Sequence, residues 1–426
     1  MQRRQRYTIF SLSIVDPCVV VAFVLFVSSK IFFFSLLFFL LSKGKWQRLS
    51  CSSDLQTILA SSSGPDSGSS DWEMGTGYVY VSKDGGADWN RLDPRVFGFS
   101  HCTGLPGGIC NSNGNGKHMY AGLAVNGDGT FATIGVSINR GNSLAQWAST
   151  ASVQTVDQGE SSFSVDMTSD GMYTAFGIKY SYSVRIYKYV PDPTDADVGT
   201  WTLETTIDPG IDQFGRSVAI TTNLLLVGVP SSNVVYLYER DSASGLFTDT
   251  ISKTWQGTNT NEFGYSVDIS PTEEYCIVGS DIEDGPHEVH IYKRDSSSGD
   301  WSLDKQYNPV NPNFKHYGRK VQINTQFAVV SAPHNREGKV YVYKRDTSTE
   351  LWPDTTTTIL EATSPVERDT AFGEHMFLRG TLLVVGANRQ WSHLIRVHLY
   401  DFGAGAVPAT TPVAIFRENC QDYLER

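Results

Sequence analysis

Phe214-Gly215-Arg216-Ser217-Val218 opens a passage that the chain writes three times in succession. It continues through Leu224-Leu225-Leu226-Val227-Gly228-Val229-Pro230 and Val235-Tyr236-Leu237-Tyr238 to Arg240-Asp241 and Phe247. The second copy starts at Phe263-Gly264-Tyr265-Ser266-Val267. It passes Ile277-Val278-Gly279 and Val289-His290-Ile291-Tyr292 and ends at Arg294-Asp295 and Trp301. The third runs from Tyr317-Gly318 through Val330-Ser331-Ala332-Pro333 and Val340-Tyr341-Val342-Tyr343 to Arg345-Asp346 and Trp352. Self-similarity at a fixed period is the strongest signal of architecture that one sequence can carry.

Working outward, the aromatic of the Phe-Gly position falls at 163 (without the Gly), 214, 263, 317 and 372, at spacings of 51, 49, 54 and 55 residues. The units are written in strands. Val340-Tyr341-Val342-Tyr343 is β-branched and aromatic, with no Gly or Pro. Leu224 to Val227 is a continuous apolar run, as expected of a strand covered on both faces. Gly, Pro, Asn, Asp and Ser supply the turns between them. Weaker copies lie upstream. Ser164-Val165-Asp166-Met167 matches Ser266-Val267-Asp268-Ile269, and Gly122-Leu123-Ala124-Val125 matches both. A further copy runs from Trp46 through Ile58-Leu59-Ala60 and Tyr78-Val79-Tyr80-Val81 to Trp89. The expectation is an all-β chain: a seven-bladed β-propeller over 46–416, with units starting near 46, 119, 163, 214, 263, 317 and 372, and a tail at 417–426. Radial closure of such sheets leaves only short edges. Pro412-Val413-Ala414-Ile415-Phe416 is the candidate outer strand of the last unit.

The five later units resemble the FG-GAP repeat of integrin-α-like propellers. Phe214-Gly215 with Gly228-Val229-Pro230, and Phe372-Gly373 with Gly386-Ala387-Asn388, carry the likeness. In the first unit Ser82-x-Asp84-x-Gly86-x-x-Trp89 resembles the Asp-box of sialidase-like propellers. Both resemblances speak for the fold, because the repeated residues mainly build the blade. Arg240-Asp241, Arg294-Asp295 and Arg345-Asp346 recur at one place in successive units, which reads as a structural turn rather than a catalytic aspartate. Phe247, Trp301 and Trp352 read as inter-blade core.

The 45 acidic and 34 basic residues give a net charge of −11, which argues against nonspecific nucleic-acid binding. Residues 1–45 stand apart: a basic start is followed by apolar stretches at Cys18–Val27 and Ile31–Leu41. A bilayer-crossing helix needs roughly 20 apolar residues. The segment 18–42 is therefore expected to be a transmembrane or signal-anchor helix, with the propeller extracellular or lumenal. A cleaved signal peptide and a faulty gene start are the alternatives. No Asn-x-Ser/Thr glycosylation site occurs, which counts against an extracellular position. Cys102 and Cys110 bracket a Gly/Pro-rich loop where a disulfide is conceivable, whereas Cys51 and Cys276 read as buried thiols.

Integrin-type propellers carry calcium loops, and the sequence holds degenerate versions of them. Asp166-x-Thr168-x-Asp170-Gly171-x-x-Thr174 lacks the final carboxylate. Ala124-x-Asn126-x-Asp128-Gly129 lacks the first and the last. Calcium wants six to eight hard oxygens, so these read as Asp-Gly hairpin turns, with no metal site assigned. The insertion between Trp89 and His118 holds Phe97-Gly98-Phe99-Ser100-His101-Cys102 and Asn111-Ser112-Asn113-Gly114-Asn115-Gly116, and is a candidate binding loop or a plain Gly/Asn loop. His287, His290, His316, His334, His375 and His398 show no repeated spacing. No catalytic, cofactor-binding or metal residues are assigned. The expected function is a membrane-anchored, non-catalytic binding or adhesion module that takes a protein or glycan ligand on a propeller face. The alternatives are an intracellular or organellar assembly scaffold, and a glycoside hydrolase or lyase marked by acidic and arginine side chains meeting at the central funnel.

Overall fold

The computed structural model of the protein describes residues 23–27, 30–34, 46–52, 56–62, 78–83, 90–91, 120–136, 142–146, 152–156, 162–194, 199–258, 262–282, 286–309, 315–333, 338–361, 371–388, 395–403, 410–412 and 414–417. These form seven four-stranded antiparallel sheets and a two-stranded hairpin. The innermost strands are Trp46–Cys51, Tyr120–Val125, Ser162–Met167, Ser217–Ile220, Ser266–Ile269, Val321–Ile323 and His375–Arg379. Each touches the innermost strand of the next sheet, and the last touches the first. This radial arrangement is a β-propeller. Among the described residues the one helical element is a 3-10 turn at Pro230–Ser232.

The sheets are not equal copies. Five of them, from Ser162 to Arg417, are regular blades, whose strands follow one another outward in chain order. The two N-terminal sheets depart from the repeat. The outermost strand of the first is only Asn90–Arg91, and in sequence both are weaker copies of the unit than the five that follow. Regular blades therefore number five, not the expected seven. Strand pairing also corrects the reading of the third unit. Ser164 lies opposite Gly177 just as Ser217 lies opposite Gly228, so Phe163 matches Arg216 rather than the aromatic Phe214.

The N-terminal helix is a second correction. Phe23–Val27 pairs antiparallel with Lys30–Phe34. Both strands are rich in Val, Ile and Phe, which favour extended backbone, and Ser28-Ser29 separates them in sequence. The rest of 1–45 lies outside the described residues. Among the described residues no helix is long and apolar enough to cross a membrane.

The core lies between blades. Every residue of Leu224–Val229 is buried. Leu225, Val227 and Val229 pack toward the preceding blade, with Ile186, Ile207 and Phe247. Leu224 and Leu226 pack toward the following one, with Cys276, Val278 and Trp301. Alternation along an all-apolar strand thus serves two interfaces at once. Trp352 is buried in the next interface, beside Tyr275. Cys51 and Cys276 are free buried thiols.

The Phe-Gly turn makes the joint between blades. Gly215, Gly264, Gly318 and Gly373 all have φ between +79° and +97°. At that φ the turn requires glycine. The N–H of Gly264 is held by its own blade through the Gly279 carbonyl, at 3.1 Å. Its carbonyl points back to the previous blade and accepts the Ser217 hydroxyl at 2.8 Å. Ser164 donates likewise to the Gly215 carbonyl (3.0 Å), and Ser266 to that of Gly318 (2.7 Å). The same carbonyls press on the second-strand glycines. A Cβ on Gly177, Gly228 or Gly279 would lie 1.8, 2.0 or 2.2 Å from the neighbouring turn's oxygen. Backbone meets backbone at these three joints, and no side chain fits between them.

Gly228→Ala is therefore expected to destabilise the fold by about 2–3 kcal/mol, and Ser217→Ala by about 1 kcal/mol. Gly386→Ala, whose Cβ would meet nothing closer than 3.4 Å, is expected to be far milder. Chemical denaturation of the three variants checks the order. Equal losses at Gly228 and Gly386 would remove the steric account.

Candidate functional site

The residue after each Phe-Gly is delivered to one end of the central channel. It closes the turn, as the backbone N–H of Arg216, Tyr265, Arg319 and Glu374 returns to the carbonyls of Gln213, Glu262, His316 and Ala371. With Phe163 as the equivalent of the third sheet, the starts of five successive inner strands bring Phe163, Arg216, Tyr265, Arg319 and Glu374 together at the mouth. These side chains meet one another in order. The Arg216 guanidinium lies 5.6 Å from the Phe163 ring centre and 4.4 Å from that of Tyr265. It also donates to the Tyr265 hydroxyl at 2.7 Å. Arg319 faces the other side of the sequence of contacts, 5.7 Å from the Tyr265 ring. It holds the Glu374 carboxylate in a fork, with Nε and Nη2 each 3.1 Å from Oε1. Its Nη1 donates to Asp281 at 2.8 Å.

Asp281 is also bonded to His316 Nδ1, at 2.6 Å. Burial pushes the Asp281 carboxyl up, but the His316 hydrogen bond and the Arg319 charge outweigh burial and hold it below its usual range. Glu262 on the same face is raised by burial and by Asp281, while Arg216 draws it down. Burial opposes the Arg319 charge, and Glu374, Tyr265 and Asp281 more than offset that.

Behind the mouth lies a cavity of about 230 Å³, lined by the inner strands of the sheets. Its lining includes Asp166, Asp268, Lys320, His375 and Arg379. Asp166 accepts the Ile220 N–H, and Asp268 accepts that of Ile323, each at 2.8 Å. Each aspartate thus answers an unpaired inner-edge N–H of the next sheet, a group that the sheet ladder leaves open. Burial raises the Asp166 carboxyl to about 6 and the Asp268 carboxyl to about 7. The Asp166 charge adds to the effect on Asp268, and Arg379 works against it at both.

The residues singled out from sequence go elsewhere. Asp166 and Asp170 do not converge: Asp170 accepts Thr168 Oγ1 and the Met172 N–H of its own turn. Asp128 likewise takes Asn126 Nδ2 and both donors of Thr130. Among the described residues no group of three His, Cys, Asp or Glu could hold a metal ion. Asp241, Asp295 and Asp346 bind the Ser and Thr residues of their own turns. Arg240 is pinned by Glu204 at 3.0 Å, between the rings of Tyr173 and Phe247. His290 pairs with buried Glu288 at 3.0 Å, and His398 is buried against Phe372. His375 lines the channel, and His287 is buried. The Asp-box residues Asp84, Gly86 and Trp89, the insertion with His101, Cys102, Cys110 and Asn111, and His334 lie outside the described residues. Sequence reading missed the mouth. The available signal was the position after the repeated aromatic-Gly pair, which changes chemistry from blade to blade as Arg216, Tyr265, Arg319 and Glu374.

The class these features define is a β-propeller. No family matches the sequence, and no curated protein is similar to it. Solved structures are similar to the chain at low identity. Sqt1 of Chaetomium thermophilum, solved bound to the N-terminus of the ribosomal protein L10, is 13% identical with a TM-score of 0.51, over 88% of each chain. A protein from Lactobacillus plantarum is 14% identical with a TM-score of 0.49, over 73% of this chain and 83% of the other. These likenesses concern the fold alone.

Asp268 offers a test of the channel's electrostatics. Its carboxyl titrates higher folded than unfolded, so its contribution is fully present below about pH 4 and is lost as the pH rises through about 7. Asp268→Asn keeps an acceptor for the Ile323 N–H and removes the buried charge. The variant is expected to melt higher than the parent near pH 8 and to show a flatter dependence between about pH 5 and 8. An unchanged slope in thermal melts would mean that Asp268 does not carry it.

Proposed function

We propose that this protein is a non-catalytic binding module that takes a peptide segment of a protein partner at the channel mouth. The observation that carries this is the convergence of Phe163, Arg216, Tyr265, Arg319 and Glu374 at the starts of five successive inner strands. Rigid strands supply the positions, and a mixed aromatic and charged set is the chemistry of interface anchors. A solved propeller of the same fold holds the N-terminus of another protein, which supports protein binding over a small substrate. A glycan remains the other ligand class, since aromatic faces and charged forks serve sugars as well.

Attachment to a membrane through residues 18–42, with the propeller extracellular or lumenal, belongs to the same proposal and rests on the apolar sequence. Protease treatment of intact cells carrying a C-terminally tagged chain tests it. Digestion of the propeller is expected. Protection until the membranes are opened would favour the assembly-scaffold reading instead.

A second reading has one observation in its favour. Asp166, Asp268 and Arg379 line the central channel together, and such a set is what a hydrolase or lyase on this scaffold requires. Against it, both aspartates already accept backbone N–H groups.

Affinity capture with Tyr265→Ala and Leu303→Ala separates mouth from rim, since Leu303 is exposed on an outer strand. Partners are expected to fall by about tenfold or more with Tyr265→Ala and to persist with Leu303→Ala. The reverse pattern would move the site away from the channel.

A further inference from the structure

The two arginines at the mouth are in opposite electrostatic states. Arg319 is matched: Glu374 grips it in a fork, and Asp281 takes its remaining donor. Arg216 is not. It contacts the Tyr265 hydroxyl and two aromatic faces. Among the described residues it forms no ion pair with a carboxylate. Glu262 feels the Arg216 charge, which draws its carboxyl down against burial and Asp281, but among the described residues the two form no hydrogen bond or ion pair.

We infer that Arg216 is the anchor for a carboxylate of the bound peptide; this rests on the peptide-binding reading above. Three features support that ligand. The guanidinium is planar and presents five donors, which suit a carboxylate in a two-point fork. Contact with Phe163 and Tyr265 and the bond to the Tyr265 hydroxyl fix its orientation in advance, so little side-chain freedom is lost on binding. The corresponding position after the turn glycine Gly318 carries an arginine, Arg319, that already holds a carboxylate in this way. Glu374 on Arg319 therefore displays, inside the molecule, the contact that Arg216 offers to a partner. A hydroxyl or amide ligand would leave the charge unanswered. A cationic one would be repelled.

The incoming carboxylate can belong to an Asp or Glu side chain or to a free C-terminus. A library of synthetic peptides, each made with a free and with an amidated C-terminus, is screened against the full chain. Binders are then measured against the parent protein, Arg216→Gln, Arg216→Lys and Tyr265→Ala. Binders are expected to carry a required carboxylate, and its replacement by the amide (Glu→Gln, Asp→Asn or a C-terminal amide) to weaken binding by about tenfold or more. In Arg216→Gln the same replacement is expected to make little difference, because the two changes remove one interaction. Arg216→Lys should retain only part of the affinity, having charge without the fork. Loss on side-chain replacement identifies an internal acid, and loss on amidation identifies the chain end.

Peptides that need Tyr265 but tolerate loss of every carboxylate would overturn the assignment of Arg216 and leave the mouth as the site. Absence of binders sensitive to any mouth residue would overturn both. Thermal melts of the variants separate binding loss from unfolding, and the peptide-side substitutions require no protein variant at all.

Discussion

The structure depends on one close approach: the carbonyl of a turn glycine lying on the Cα of a glycine in the blade before it. Apolar burial between blades supplies most of the stability, but burial is non-directional and would tolerate sliding. The glycine contact does not tolerate it. A Cβ on Gly228 would lie 2.0 Å from the Gly264 oxygen, and the Ser217 hydroxyl holds that oxygen from the side. Spacing and register of successive blades are therefore set by backbone atoms. The hydrophobic core then fills the space that this spacing defines.

That constraint also builds the candidate site. The residue following the turn leads directly into the innermost strand, so it inherits the accuracy of the joint. Arg216, Tyr265, Arg319 and Glu374 differ in chemistry but leave the turn through the same backbone hydrogen bond. A common scaffold position with variable side chains is how a repeat protein separates stability from recognition. The aspartates deeper in the channel belong to the scaffold, since each closes a donor on the neighbouring strand.

Much of the fold was legible in the sequence, and the reasons are local. Leu224–Val229 announced a strand covered on both faces, and each face does meet a different blade. The Arg-Asp pairs announced turns, and they are turns. Phe163 misled because an aromatic near the start of a unit resembles the Phe of Phe-Gly, whereas register depends on Ser164 and Gly177. The apolar segment near the N-terminus misled because hydrophobicity does not by itself choose between helix and strand; Val, Ile and Phe on either side of Ser28-Ser29 favour pairing. The mouth was not legible. Its members lie about a blade apart in sequence, and nothing in a period says which of its positions face the axis. His316 and Asp281 illustrate the same limit, being 35 residues apart yet 2.6 Å from each other.

One joint is built differently. At the sixth blade Lys320 stands where the others have the hydroxyl donor, and Ser331 stands where they have the second-strand glycine. The Arg319–Glu374 fork crosses that boundary in their place. At the turn itself three joints thus use a neutral hydroxyl and one uses an ion pair, although ion pairs such as Arg240–Glu204 and Arg294–Glu239 cross other boundaries away from the turn and Asn324 donates to the Gly380 carbonyl across this one. Ionic strength acts on these in opposite senses: added salt screens a partly exposed ion pair and strengthens apolar burial. The ring consequently has one turn whose tie salt would loosen while leaving the hydroxyl ties of the other turns in place.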